Sequence, residues 1–226
     1  MKKVTKALSL ILVLVLTTMA FAGCGTDTQN NQDGQNDPQY TSIEAVDISA
    51  LTLDSAQKNG VKISFDSTKW HHWEQMQNLG IALTETWEQD NTVNIQVIDN
   101  GEPNASEVTE THLEQLMKGF EGAGDWFDAS VHELRMFEGK KVIYIETAVS
   151  CTEDYLAFLV ESGSYTQEWV DENKEELLNA PSTKQVQVYT IVDGHLISYV
   201  GTYYEDAHKQ AAMDAITVAI QTTEIQ

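Results

Sequence analysis

The chain has 226 residues and carries 35 Asp plus Glu against 13 Lys plus Arg, a formal net charge of −22. A charge of that sign repels phosphate backbones and anionic headgroups, so nucleic acids and lipid headgroups are excluded as expected ligands. Two cysteines do not make a disulfide-dense framework, and the length suffices for one domain with its own core.

The chain opens MKKVTKALSLILVLVLTTMAFAGC: a basic start, an apolar stretch from Ala7 to about Ala22, and then Cys24. That is the pattern of a signal segment. The stretch is shorter than the roughly 20 residues of a spanning helix, and Thr17 and Thr18 interrupt it. Phe21-Ala22-Gly23-Cys24 resembles the bacterial lipobox, with Phe21 where leucine is usual. The resemblance implies cleavage after residue 23, diacylation of Cys24 with palmitate-type chains, and a lipoprotein facing the extracytoplasmic side of the cell membrane. An ordinary secretory peptide with an incidental cysteine is the alternative. Each buried methylene contributes about 0.8 kcal/mol, so two acyl chains hold durably. Cleavage removes Lys2, Lys3 and Lys6, leaving 10 basic residues against 35 acids and a mature net charge of −25. With Cys24 acylated, Cys151 is the one remaining thiol and no internal disulfide is expected.

Residues 24–42 include GTDTQNNQDGQNDPQY, almost without apolar side chains, and are expected to form a disordered tether spanning about 20 to 25 Å. From residue 43 to 226 strand and helix patterns alternate. VKISF (61–65), GIALTETW (80–87) and TVNIQVI (92–98) are short β-branched or aromatic runs bounded by turn residues, and predict three strands. Residues 106–120 place Leu113, Leu116, Met117 and Phe120 at helical spacing. VHELRMF and KVIYIETAV flank Glu138-Gly139, and QVQVYTIV and HLISYVGTYY flank Asp193-Gly194, which predicts two hairpins. Between them, residues 152–182 predict two short helices broken at Gly163, with Thr166 as N-cap and Pro181 as stop. Ala212, Ile216, Ala219 and Ile220 stripe a terminal helix.

Pairing Val192 with His195 puts Val186, Val188, Ile197 and Tyr199 on one face, and Tyr189, Ile191, Leu196 and Val200 on the other. Both faces need cover. The expected fold class is therefore α+β, an antiparallel sheet with helices on both faces. The order of elements, with VKISFDSTKW early and VQVYTIVDGHLISYVGTYYEDAHKQAAMDAITVAI late, resembles the PsbP-like superfamily of α/β/α sandwiches. In that family the first strand runs into an aromatic, a proline and a tryptophan. Here Asp66 stands where proline is usual, and the gap to Trp70 is one residue longer. The resemblance implies an accessory subunit on a membrane assembly.

The chemistry-bearing candidates are few. KWHHWEQM (69–76) sets His71 and His72 between Trp70 and Trp73, with Glu74 following. Imidazole and carboxylate suit zinc, but adjacent histidines point apart and no local spacing supplies further ligands, so a core anchor followed by a solvated loop is the favoured reading. Cys151 has His132 as its nearest strand-paired base, about 20 Å away, which leaves an inert thiol. Trp169 with Asp171, Glu172, Glu175 and Glu176 makes an acidic helix face, solvated or docking a basic protein partner. Gly-x-Ser-x-Gly, His-Glu-x-x-His, a phosphate-cradling loop and a calcium loop are all missing. The expected function is a membrane-anchored, non-catalytic binding or accessory module without cofactor, with Trp70, His72, Trp73, Glu74, Trp169, Glu172, Glu175 and Glu176 as candidate contacts. The alternatives are a hydrolase built on His72 and Glu74, or a cation-handling surface protein.

Replacing Cys24 by serine should abolish incorporation of labelled palmitate and move the chain from the membrane fraction to the soluble one. Retention of label in the serine variant would refute acylation at this sulfur.

Overall fold

The computed structural model describes residues 40–74, 80–85, 93–103 and 105–226; the signal segment, Cys24 and most of the tether lie outside them. Ten strands and four α-helices follow in chain order: β1 (Leu53–Lys58), β2 (Val61–Asp66), β3 (His71–His72), β4 (Ile81–Thr84), β5 (Val93–Asp99), α1 (Glu110–Phe120), β6 (Phe127–Phe137), β7 (Lys140–Val149), α2 (Glu153–Glu161), α3 (Gln167–Leu178), β8 (Thr183–Val192), β9 (His195–Tyr203), α4 (Lys209–Thr222) and β10 (Glu224–Ile225).

Seven strands form one antiparallel sheet in the order β3-β4-β5-β9-β8-β7-β6. The β8–β9 register is the expected one, Val192 opposite His195 and Val188 opposite Tyr199. Three hairpins turn on two-residue loops with positive φ at both positions: Asn59-Gly60 (51° and 83°), Glu138-Gly139 (47° and 80°) and Asp193-Gly194 (48° and 86°). Such turns match the right-handed twist of the strands they join.

The sequence expectation placed residues 61–65 among the strands of a single platform. The structure instead puts β2 at the centre of a separate three-stranded sheet, β1-β2-β10. Strand β1 was not predicted, because LDSAQK is polar and only its Ala56 is buried. The signal that could have found it is Asn59-Gly60, a hairpin turn immediately before VKISF.

Both faces of the large sheet are covered. Beneath α4 and the small sheet, Ile63, Phe65, Ile95, Val186, Val188, Tyr199 and Ile216 form one apolar cluster. On the opposite face Leu113 and Phe120 of α1, Tyr155 and Leu159 of α2 and Leu177 of α3 pack with Ile143, Ile145, Tyr189 and Leu196. That second face is not wholly apolar, contrary to expectation. Buried Gln185, Gln187 and Thr202 lie across it. Tyr189 donates to Gln187 (2.7 Å), Gln187 to Gln185 (2.8 Å) and Gln185 to Thr202 (3.2 Å), so the buried amides are satisfied within the sheet.

The interhairpin helices start where their caps dictate: the Thr152 hydroxyl accepts from Tyr155 N and the Thr166 hydroxyl from Trp169 N. A bulge in β6 between Asp128 and Val131 breaks the β6–β7 register that runs from Phe137–Lys140 to Val131–Glu146, so Phe127 pairs with Val149.

Helix α4 sits close on the sheet because residue 201 has no side chain. A Cβ there would lie 2.9 Å from the Ala212 Cβ and 3.3 Å from Ile216 and Ile95 methyls. Gly201→Val should therefore cost about 1–3 kcal/mol by overpacking, read as a lowered midpoint in urea unfolding. An unchanged midpoint would show that α4 can lift at no cost.

Candidate functional site

Two of the sequence-selected residues, Trp70 and Trp169, belong to clusters on opposite faces of the sheet. Trp70 is buried in the cluster beneath α4. His71 and His72 occupy consecutive positions of β3, opposite Thr84 and Leu83, so their side chains leave opposite faces of the strand. Both are half-buried. Trp73 is half-buried and its N–H donates to the Ala82 carbonyl (2.8 Å), while Glu74 is exposed. Trp169 belongs to the other cluster, stacked on Tyr165 with ring centroids 4.0 Å apart. Glu172 and Glu175 are exposed on α3 and Glu176 is half-buried. The sheet lies between Trp70 and Trp169, so these two do not share one site. Among the described residues no cluster of three or more His, Cys, Asp or Glu could hold a metal ion. Cys151 is half-buried, and burial pushes its thiol up to about 11, away from reactive thiolate. Residues 75–79 and Cys24 lie outside the described residues.

The structure gathers a different set. At the edge of the sheet, β6 and β7 carry Arg135, Tyr144 and Glu146 toward α4, whose first turns bring Lys209, Gln210, Met213 and Asp214. The N-terminal segment closes the third side. Its Ile43 N–H donates to the Met136 carbonyl (2.8 Å) and Met136 N–H to the Thr41 carbonyl (2.9 Å), which lays Ser42 to Glu44 along the end of β6. Together these elements enclose an open cleft of about 550 Å³.

Arg135 is the sole arginine in the chain. In the sheet it is opposite Val142 while Tyr144 is opposite Glu133, so arginine and tyrosine are diagonal neighbours on one face. The guanidinium carbon lies 3.5 Å from the centroid of the Tyr144 ring. Among the described residues its hydrogen bonding is through Nε to Glu133 (2.7 Å), which leaves the Nη nitrogens for a ligand.

Tyr144 donates its hydroxyl to Glu146 Oε1 (2.8 Å), and Lys209 Nζ reaches the same oxygen at 2.7 Å. Burial alone would raise the Glu146 carboxyl. The Lys209 and Tyr144 hydrogen bonds, with the charges of Lys209 and Arg135, outweigh burial and hold it below the ordinary 4.5. Burial, then the bond to Glu146, pushes the Tyr144 hydroxyl well above its ordinary value. Tyr203 is pushed up to about 12, first by burial and then by the charges of Glu146 and Asp206. At the rim Lys184 pairs with Asp206 (2.7 Å).

A second, smaller hollow of about 100 Å³ adjoins the cleft at Asp214, which lines both. Val46, Leu51, Phe65, Trp70 and Val218 wall it together with the charged Asp66, Lys69 and Glu85. Trp70 is thus where the sequence reading and the observed hollow coincide. Arg135 was missed, although its being the one arginine in so acidic a chain was a signal open to inspection.

No known family profile matches the chain, and no curated protein matches it in sequence. Solved structures with a similar chain path include the solution structure of cyanobacterial PsbP from Synechocystis, at TM-score 0.44 and 14% identity, covering 82% of this chain and 98% of that one. Another is the Ran-binding protein Mog1p of Saccharomyces cerevisiae, at TM-score 0.43 and 6% identity, covering 78% of this chain and 96% of that one. With identities and scores this low, neither protein's partners are carried over.

Glu146 sets a pH dependence with a definite sign. A depressed folded-state value contributes stability that is present above the ordinary 4.5 and lost as pH falls through the lowered value. Lys209→Met should raise the Glu146 midpoint in a carboxyl NMR titration and reduce the share of acid destabilisation due to this residue. A midpoint indifferent to the substitution would remove Lys209 as the cause.

Proposed function

We propose that this chain is a lipid-tethered binding module on the extracytoplasmic side of a membrane, with residues 1–23 as signal peptide, 24–42 as a tether whose last residues, Thr41 and Ser42, lie ordered along β6, and 43–226 as the binding domain, and that the Arg135 cleft is its ligand surface. The observation that carries the reading is the sole arginine, its guanidinium carbon 3.5 Å over the Tyr144 ring in an open cleft, with its Nη nitrogens without a partner among the described residues. A planar fork fixed in this way loses little freedom when it engages an oxyanion.

Non-catalytic binding suits the ionisation states. A general acid or base works best with its pKa near the working pH, whereas Glu146 is held low against its burial, first by the Lys209 hydrogen bond, and Tyr144 is held high, first by burial. Tethering rests on the basic-apolar-Cys24 start and on the lipobox likeness. The PsbP-like resemblance adds an accessory role beside a membrane assembly. The exposed acids of α3, Glu168, Asp171, Glu172 and Glu175, would face a basic partner there.

The Arg135 Nε–H gives the one arginine Nε resonance of nitrogen-15-labelled protein, and so the cleft its own reporter. Adding the low-molecular-mass fraction of growth medium, then a panel of simple carboxylates, should shift it saturably, with the bound compound recovered chemically unchanged. A resonance that stays still throughout would overturn the cleft as ligand surface, and a consumed compound would overturn the non-catalytic reading.

A further inference from the structure

Helix α4 opens on a different space along each flank. Lys209, Gln210, Met213 and Thr217 line the Arg135 cleft, whereas Ala211, Ala215 and Val218 line the hollow of about 100 Å³ beside Trp70, with Asp214 on the border. The hollow therefore lies across the helix from Arg135, and its chemistry stands apart from the cleft.

The far wall of the hollow is the turn that follows β2. Trp70 N–H donates to the Asp66 carbonyl (2.9 Å) and Ser67 N–H to the Thr52 carbonyl (2.9 Å), which holds the loop carrying Val46 and Leu51 against the same turn. Burial grades the lining. Phe65, Trp70 and Val218 are each 4% exposed and Asp66 is 7% exposed, while Leu51, Glu85 and Asp214 are half-buried and Lys69 is exposed. Asp66 is thus a carboxylate among aromatic and aliphatic walls. Its Oδ1 accepts from Thr68 N–H (3.0 Å) and Thr68 Oγ1 (2.7 Å). Among the described residues its Oδ2 accepts no hydrogen bond, and neither Asp66 nor Lys69 makes an ion pair. A buried carboxylate with an unused oxygen is costly unless a cation comes to it.

Three carboxylates against one ammonium line the hollow, so it selects a cation over an anion. A metal ion finds too few oxygens, since among the described residues no group of three or more His, Cys, Asp or Glu could hold one. A primary ammonium brings three N–H donors, and the one deep side-chain acceptor is Asp66, so the remaining donors would be buried unpaired. A quaternary ammonium has no N–H to satisfy. Its charge is spread over methyl groups that can lie against an aromatic face and touch a carboxylate at once. The size agrees: a cavity of about 150 Å³ takes benzene, so about 100 Å³ suits a compact group of about five heavy atoms.

We infer that the hollow beside Trp70 is a binding site for a quaternary ammonium group of the choline type. The methyls lie against Trp70 and Phe65, Asp66 compensates the charge, and the rest of the ligand leaves past the rim of Glu85, Asp214 and Lys69. Free choline compounds and phosphocholine lipid headgroups share this chemistry.

The test is calorimetry, with tryptophan emission as a second reading, on the purified full-length chain. The probes are choline, 3,3-dimethylbutan-1-ol, in which carbon replaces the charged nitrogen, and ethanolamine, which carries a primary ammonium instead. Choline should bind at least about tenfold more tightly than either. Asp66→Asn, which keeps an oxygen for Thr68, should weaken choline by at least about tenfold and leave the uncharged isostere unchanged. Ala211→Leu, a helix-compatible change at a half-buried position of the lining, should narrow the hollow and weaken both. With choline bound, competition by phosphatidylcholine vesicles assigns the source to a lipid headgroup and lack of competition to a free solute; either result supports the site. If the uncharged isostere or ethanolamine binds as tightly as choline, the quaternary-ammonium assignment fails. If choline gives neither heat nor a change in emission, it fails outright. Choline binding indifferent to both substitutions lies elsewhere and also overturns the inference.

Discussion

Everything described depends on one pairing, that of β5 with β9. Val93 through Asp99 run antiparallel to Ile197 through Tyr203, so strands about a hundred residues apart in sequence become immediate neighbours at the centre of the sheet. An antiparallel register is strict here, because a slip of one residue would exchange the side chains of the two faces. One face of β9 presents Gly201 and Tyr199 to α4, and the other presents Leu196 to the helices of the opposite layer. With β9 fixed, α4 can approach only where Gly201 admits it. Its first turn then falls beside β7, where Lys209 meets Glu146.

The cleft is therefore a product of closure at the sheet centre, expressed at the sheet edge. Arg135 comes from β6, Tyr144 from β7, Asp214 from the last helix, and Ser42 to Glu44 from the first described residues. The energetic weight of each ion pair is modest, since partly exposed pairs contribute on the order of 0–1 kcal/mol. Their importance lies in allocation. The pairs of Lys209 with Glu146, Lys184 with Asp206 and Arg135 Nε with Glu133 leave the Arg135 Nη groups facing the cleft beside Glu44 and Asp214.

The placement of the one arginine also gives the acidic composition a second meaning. A net charge of −22 serves solubility, and it repels anions from most of the surface. A guanidinium stacked on Tyr144 in that setting attracts a carboxylate only where the fork can be met at close range, so selection rests on geometry rather than on long-range field. Lysine would not substitute, because a flexible ammonium neither stacks on the ring in the same way nor offers two parallel donors.

Local patterns carried much of this protein. The Glu138-Gly139 and Asp193-Gly194 turns, the Thr166 cap, the stripe of α4 and the two faces of the β8–β9 hairpin all follow from periodicity and turn chemistry within a few neighbouring residues. Asn59-Gly60 was equally legible and would have exposed β1 despite its polar sequence. What lay beyond local pattern was which strands would pair across the chain: that β2 leaves the large sheet to join β10, that β6 takes an extra residue at its bulge, and that Arg135 and Asp214 share a cleft. Residue type and spacing fix the conformation of a segment because those interactions are short-ranged. The meeting of segments about eighty residues apart is decided by which apolar faces can be buried together, and that choice is made by the whole folded chain.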